Sequence, residues 1–245
     1  MRRVLFPMFL LAAACSQDNA PVKAITGAKL IDAAAGTVAN AVVIIRAGRI
    51  ARVGPEGQVP IPPGAERFDA AGKFLVAAPV EIPSYGIPEI STRDEARRNM
   101  AAGRRVLFGM FLDADPLEGK FIEKLASEAV ILIPRLHRLR KQPEQLARAS
   151  RNAKILADAG VMIAIGLDSN AAGEIALLTQ AGLTPQQILA GATRSAAYAA
   201  RRSGQAGSVQ PDFIADLWLL EEIPLSNPAA LARPARIMKE GDWVQ

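Results

Sequence analysis

The hydrophobic positions change their spacing along the chain, and the changes mark out different kinds of element. Ala41 to Ile45 and Ile50 to Val53 are β-branched runs on either side of Ala47-Gly48. That pattern predicts two strands joined by a hairpin turn. Ala215 to Leu220 alternates as a strand does, and Arg236 to Lys239 connects through Glu240-Gly241-Asp242 to Trp243-Val244. Between these ends the spacing becomes helical, broken by short solid runs. Phe121, Ile122, Leu125 and Ala126 predict an amphipathic helix, followed by the apolar run Val130 to Ile133, which Pro134 stops. Ala153, Ile155, Leu156 and Ala159 repeat the pattern, Gly160 ends the helix, and Val161 to Ile165 follows. Such uniformly apolar runs predict strands buried on both faces of a parallel sheet. A helix from about Gly173 to Gln180 comes next. Thr184 at the N-cap and Pro185 at N1 then open another, Gln186 to Ala200.

The first twenty residues read differently. Arg2 and Arg3 precede an apolar stretch, Val4 to Ala14, that is far short of the ~20 residues needed to span a bilayer. Ala12-Ala13-Ala14-Cys15 reads as a lipoprotein signal with Cys15 the lipidated residue, and an ordinary cleaved signal is the alternative. The expected location is the cell envelope, lipid-anchored on the periplasmic face of a bacterial membrane, the outer one being expected because Ser16 after the cysteine is no inner-membrane retention signal. Cys15 is the chain's one cysteine, so no intrachain disulfide forms.

Of the 245 residues 50% are hydrophobic, which excludes a disordered chain. The net charge of +5 includes Arg2 and Arg3; without them 27 basic residues face 24 acidic ones, or +3. That is too mild for a nucleic-acid partner. The densest basic run, Arg135, Arg138, Arg140, Lys141, Arg148 and Arg151, has no interleaved aromatics and reads as a solvated loop and helix face, an anionic partner being the alternative.

Helix, tight turn and buried strand lead to Gly166 and then Asp168, an acid at a strand's C-terminal end. Those are the parts of a (β/α) barrel's catalytic face. The stretch resembles the last barrel strand of the amidohydrolase superfamily, most closely its imidazolonepropionase-like group. GRIARVG, DAAGKFLV, GSVQP…ADLWLL and KEGDWV resemble further landmarks of that family, in the same order. The resemblance implies an α/β fold: a small β-sandwich built by residues 21–76 and 205–245, beside a barrel domain at 77–204, with 1–20 as signal and tether. It also implies hydrolysis of C–N bonds other than peptide bonds, with one or two divalent metals such as zinc. Asp168 would ligate metal and handle the proton of the attacking water.

The departures from the family pattern are large. Pro83 and Tyr85 occupy the positions of the paired histidines on barrel strand one. Ser91 stands in Ile90-Ser91-Thr92-Arg93-Asp94-Glu95-Ala96 where strand five carries a histidine. Phe108 replaces the histidine that precedes the glycine of strand six, Val106 to Gly109. Strands two to four, including the one bearing the bridging lysine, have no counterpart between Tyr85 and Ile90. Only a partial, half TIM-type barrel is therefore expected, with no catalytic metal.

Other candidates are weaker. His137 matches no ligand position and reads as a loop residue. Asp113, Asp115 and Glu118 faintly suggest a calcium loop, and more simply the N-cap of a helix starting near Pro116. Ser169 and Ser195 have no recognisable base beside them. Asp168 alone reads as a helix cap or inherited residue, since a carboxylate without a metal is a poor catalyst of amide hydrolysis. The expected function is that of a degenerate amidohydrolase-family lipoprotein, non-catalytic, with a binding or assembly role. The alternative is a hydrolase with a site rebuilt around Asp168. A half-barrel would leave strand edges and an apolar face open, which predicts a homodimer of facing half-barrels. A monomer whose Pro79 to Pro88 segment folds across that face is the other outcome.

Overall fold

The computed structural model describes residues 21–166 and 170–244. Cys15 and Asp168, like Ser169, lie outside the described residues. Among the described residues twelve strands fall into two sheets. The larger is built by the two ends of the chain: β1 (Val22–Asp32), β2 (Gly36–Arg46), β3 (Arg49–Pro55), β4 (Glu66–Asp69), β5 (Phe74–Ala77), β10 (Leu217–Leu220), β11 (Arg236–Lys239) and β12 (Asp242–Trp243). Its order is β12-β11-β10-β5-β1-β2-β3, with β4 pairing the first half of β1 and β5 the second.

The sandwich is thus one continuous sheet curled over, not two separate ones. Both hairpin turns suit the twist of the sheet. Ala47 and Gly48 have φ of 49° and 74°, and Glu240 and Gly241 have 48° and 83°, the left-handed pairs that match strand twist. The two turns lie against each other. A Cβ on Gly241 would come within 3.0 Å of Ile45, and one on Gly48 within 2.8 Å of the Glu240 carbonyl. Residues 213–215 stitch them: Ile50 N–H donates to Phe213 O at 2.9 Å, and Ala215 N–H to Gly48 O at 2.8 Å. Ile25, Val43, Ile45 and Ile50 on one limb then face Leu217, Leu219 and Met238 on the other.

Asp32 ties the ends together. It is only 3% exposed. Its Oδ1 accepts from the N–H groups of Ala34 and Ala35 at 2.7 and 2.8 Å. Its Oδ2 accepts from the Ser208 hydroxyl at 2.8 Å and from Val209 N–H at 2.7 Å. One carboxylate so closes the turn after β1 and anchors a segment 176 residues further along.

The second sheet is parallel, in the order β6 (Glu89–Ile90), β7 (Val106–Gly109), β8 (Ile131–Ile133) and β9 (Met162–Ile163). The helices between these strands are α1 (Arg93–Ala101), α2 (Gly119–Ser127) and α3 (Pro143–Asp158). After β9 come α4 (Ala171–Gln180), α5 (Pro185–Ala190) and α6 (Ala196–Ala199). Four strands in an open row make half a barrel, as the strand count predicts. Leu107, Leu132 and Ile163 face the helices, in a core that also takes Ile31, Val76 and Leu220 from the large sheet. Phe108, Ile131, Ile133 and Ala164 face the other way, toward what would be a barrel's interior.

That interior face is covered. Residues 78–88 form no strand and cross it as a strap, with Val80 and Ile82 only 4% and 8% exposed. The far side of the strap is held by a feature absent from the sequence reading. Gln186 to Ala200 is not a uniform helix: residues Gly191–Ser195 form a π turn between α5 and α6. Such a turn misaligns the regular carbonyl ladder. Here Gly191 O accepts from Ile165 N–H at 3.0 Å and Ala192 O from Val80 N–H at 2.9 Å. Glycine at 191 leaves the room, since a Cβ there would lie 3.0 Å from Ile163 O.

Several local expectations need correction. The apolar run Val161 to Ile165 yields only two strand residues, because Ala164 pairs once with Leu132 O and Ile165 turns to the π turn. The helix expected near Pro116 begins at Gly119, and its N-cap Glu118 makes no side-chain cap. Asp113 instead accepts from the backbone N–H and Nε of Arg93 at the start of α1. Asp115 pairs with Arg151 and Arg148, and the Arg151 hydrogen bond holds its carboxyl below the usual range. The basic run is accordingly not simply solvated. Arg140 packs its guanidinium where a side chain on Gly173 would stand, and Arg135 points inward.

Candidate functional site

A cavity of about 710 Å³ opens between the strap and the C-terminal ends of the half-barrel strands. The strap contributes Glu81, Ile82, Pro83, Ser84 and Tyr85. Phe108 and Ile133 form the floor with Ala164 and Ile165, and Gly166 brings the wall to the edge of the undescribed residues 167–169. This is where a (β/α) barrel carries its active site, and the volume lies in the range of small-molecule pockets.

The residues expected at metal-ligand positions each do something else here. Pro83 and Tyr85 sit on the strap, Tyr85 84% exposed. Ser91, at the end of β6, is part of a helix cap. Its N–H and hydroxyl donate to Glu95 Oε2 at 2.6 and 3.1 Å, and Thr92 N–H adds a bond at 3.0 Å. Thr92 accepts from Glu95 N–H in return, completing a capping box on α1. The Ser91 backbone N–H, with the Thr92 N–H and the Ser91 hydroxyl, holds the Glu95 carboxyl below its usual range against the opposing effect of burial. Phe108 is buried at the cavity floor, and Arg135 lays its guanidinium 3.6 Å from the centre of the ring. Gly109 beside it stays essential to the backbone. Its φ is +101°, and a Cβ would collide with Ile90 O at 2.1 Å.

Arg135 reaches that place because it leaves the strand in a left-handed conformation, φ 53° and ψ 41°, directly after Pro134. A non-glycine residue held there stores backbone strain. The short 3₁₀ turn Leu136–Leu139 follows and places His137 on the cavity wall. Glu174 of α4, 5% exposed, anchors the turn. Its Oε1 accepts from Leu136 N–H at 2.8 Å and its Oε2 from His137 N–H at 2.9 Å, and the His137 ring meets the same Oε2 through Nδ1 at 2.9 Å. His137 is thus more than the loop residue expected of it: it is a wall residue with a fixed ring. The signal for its partner was in the sequence. Glu174 lies three residues after Ala171 and four before Leu178, on the buried stripe of its helix.

A divalent metal does not fit this donor set. Among the described residues no three of His, Cys, Asp and Glu gather closely enough to hold an ion. His137 and Glu174 are committed to each other and to the turn. Arg135, Arg138 and Arg202 line the same cavity and oppose a dication.

The chain belongs to the amidohydrolase family, whose sequence profile matches residues 108–244. No curated protein matches it in sequence. Solved structures do. Molinate hydrolase aligns at 12% identity over 92% of this chain and 95% of that one, with a TM-score of 0.77. A. niger ochratoxinase aligns at 12% identity over 93% and 96%, with a TM-score of 0.69. An amidohydrolase from Thermotoga maritima MSB8 gives 12%, 91%, 99% and 0.66 for the same measures. At these identities the likeness is one of fold.

Proposed function

We propose that this protein is a non-catalytic member of the amidohydrolase family that binds a small molecule in the cavity over its half-barrel, anchored to the envelope through lipid on Cys15. The observation that carries the reading is the Arg135 guanidinium stacked at 3.6 Å on Phe108, at a position in register with a histidine ligand. A cation on an aromatic face there supplies neither a metal ligand nor a base. Arginine stays protonated at any working pH, so it cannot take a proton from water.

Elemental analysis of the purified chain, combined with turnover assays on cyclic amides and N-acyl amino acids, tests the reading. The expected result is no stoichiometric zinc and no turnover. Tightly bound zinc together with hydrolysis would overturn it in favour of a site rebuilt around Asp168. The anchor is tested separately by membrane fractionation of the Cys15→Ala chain. That variant is expected in the soluble fraction or with its signal uncleaved, and unchanged membrane association would exclude the cysteine as anchor.

A further inference from the structure

We propose that the cavity is a seat for a small neutral hydroxyl compound with an apolar body, an alcohol or a phenol, and that His137 Nε2 is its hydroxyl contact. The proposal rests on the binding reading above and names the class of ligand.

Three features converge on it. The first is the ring of His137. Its side chain is 12% exposed, lines the cavity and is held through Nδ1 by Glu174 Oε2 at 2.9 Å. Glu174 is itself fixed by the backbone N–H groups of Leu136 and His137, so the ring does not turn without breaking that anchor. This leaves Nε2 as the ring's one polar atom with no partner among the described residues. A ring nitrogen donates or accepts according to its tautomer, and a hydroxyl answers either state, because its oxygen both donates and accepts. A contact atom placed in advance lowers the ordering cost of binding. The second feature is the balance of charge. Arg138 pairs with Glu89 at 2.9 Å, Arg202 with Asp216 at 3.8 Å, and Arg135 is engaged on the Phe108 ring. A ligand anion would give up its hydration for cations that are already committed. A ligand cation would meet three guanidinium groups on the same wall. A neutral ligand avoids both penalties. The third is the floor, where Ile82, Phe108, Ile133 and Ala164 give an apolar surface. A second polar group on the ligand would lie against these side chains unpaired, at a cost in binding. One hydroxyl on a hydrocarbon or aromatic body matches both the ring nitrogen and the floor.

The test uses the untagged, lipid-free mature chain after dialysis against chelator, titrated by calorimetry with phenol, toluene and benzoate. Phenol is expected to bind, while toluene (same ring, no hydroxyl) and benzoate (same ring, charged) bind roughly tenfold or more weakly. His137 is the chain's one histidine, so its imidazole nitrogen resonances are assigned without ambiguity. Phenol should move the Nε2 resonance more than that of Nδ1, and toluene should move neither. In His137→Phe the preference for phenol over toluene is lost. Absence of phenol binding overturns the proposal, as does equal or tighter binding of toluene or benzoate by the unaltered chain. Phenol binding that leaves the Nε2 resonance in place overturns it as well. Those outcomes are read on the unaltered protein, so they hold even if His137→Phe fails to fold. Turnover with zinc would defeat the non-catalytic reading and leave the hydroxyl preference standing, which separates the two failures.

Discussion

The curled sheet and the half-barrel are built from the same kinds of residues but to different standards of regularity. In the sheet, β1 and β2 each run eleven residues, and both ends of the chain are locked by hairpin turns and by Asp32. In the half-barrel the outermost strands, β6 and β9, have two residues each. Their outer edges lack the ladder that a closed barrel would provide. The difference is one of where order comes from. The sheet is self-sufficient, since its two limbs bury each other. The half-barrel gets its order from outside the strands, from helices on one face and the strap and π turn on the other. That is why its interior face can carry a stacked aromatic and cation on such short strands.

The comparison breaks first at Asp32. Asp32→Ala would leave the buried donors of Ser208 and Val209, and the part-buried N–H groups of Ala34 and Ala35, without this acceptor. The expected loss is roughly 3 kcal/mol or more, read as a shift of the urea midpoint. Because Ile31 and Val76 pack into the helical core, both regions should unfold together. A loss under about 1 kcal/mol would show that the sheet does not depend on this carboxylate.

A smaller effect is expected at the strap. Ile82→Ser removes a buried strap side chain that packs on the half-barrel floor and costs about 2 kcal/mol. It also uncovers part of the face on which facing half-barrels would dimerise. We propose that the strap competes with that assembly, the open edges at Glu89–Ile90 and Met162–Ile163 remaining its points of contact. Light scattering at tens of micromolar should therefore give a larger mean mass for Ile82→Ser than for the unaltered lipid-free chain. Equal masses would remove the strap as a guard of that face.

What could be read in advance follows the same division. Local rules suffice for local devices. Ala47-Gly48 forms its turn, Gly160 ends α3 at φ +82°, and Thr184 caps α5 with Gln187 in a capping box. The interior of the half-barrel depends on partners far apart in the chain, and spacing says little about those. The π turn has no marker in Gly191 to Ser195, since its misaligned carbonyls are satisfied by Ile165 and by Val80, more than a hundred residues away. The Arg135 stack needs a left-handed arginine, which nothing in Pro134-Arg135 announces. Two polar residues could have been found. Glu174 and Asn152 each stand on the buried stripe of a helix. Asn152, three residues after Ala149 and four before Leu156, donates to Phe111 O and Ala114 O and so pins the loop after β7.

The smallest expected effect sharpens the half-barrel side, at the position where Ser91 replaces a histidine. Glu95 accepts from Ser91 and Thr92, and its carboxyl is held below the ordinary glutamate value of 4.5. A lowered folded value means that the stabilisation is fully present above the ordinary value. It is lost as pH falls through the lower one. Glutamine can occupy the same capping position but does not titrate. Glu95→Gln should therefore be slightly less stable than the unaltered chain near neutral pH, by less than about 1 kcal/mol, since the side chain is partly solvated. The gap should shrink in acid, once the carboxyl protonates and offers its oxygens as a neutral group. Urea midpoints of both chains at about pH 7 and about pH 3.5 measure it. A gap that stays constant between those two conditions would mean that the ionised carboxylate adds nothing to the cap, and that Ser91 holds only the geometry of the first turn of α1.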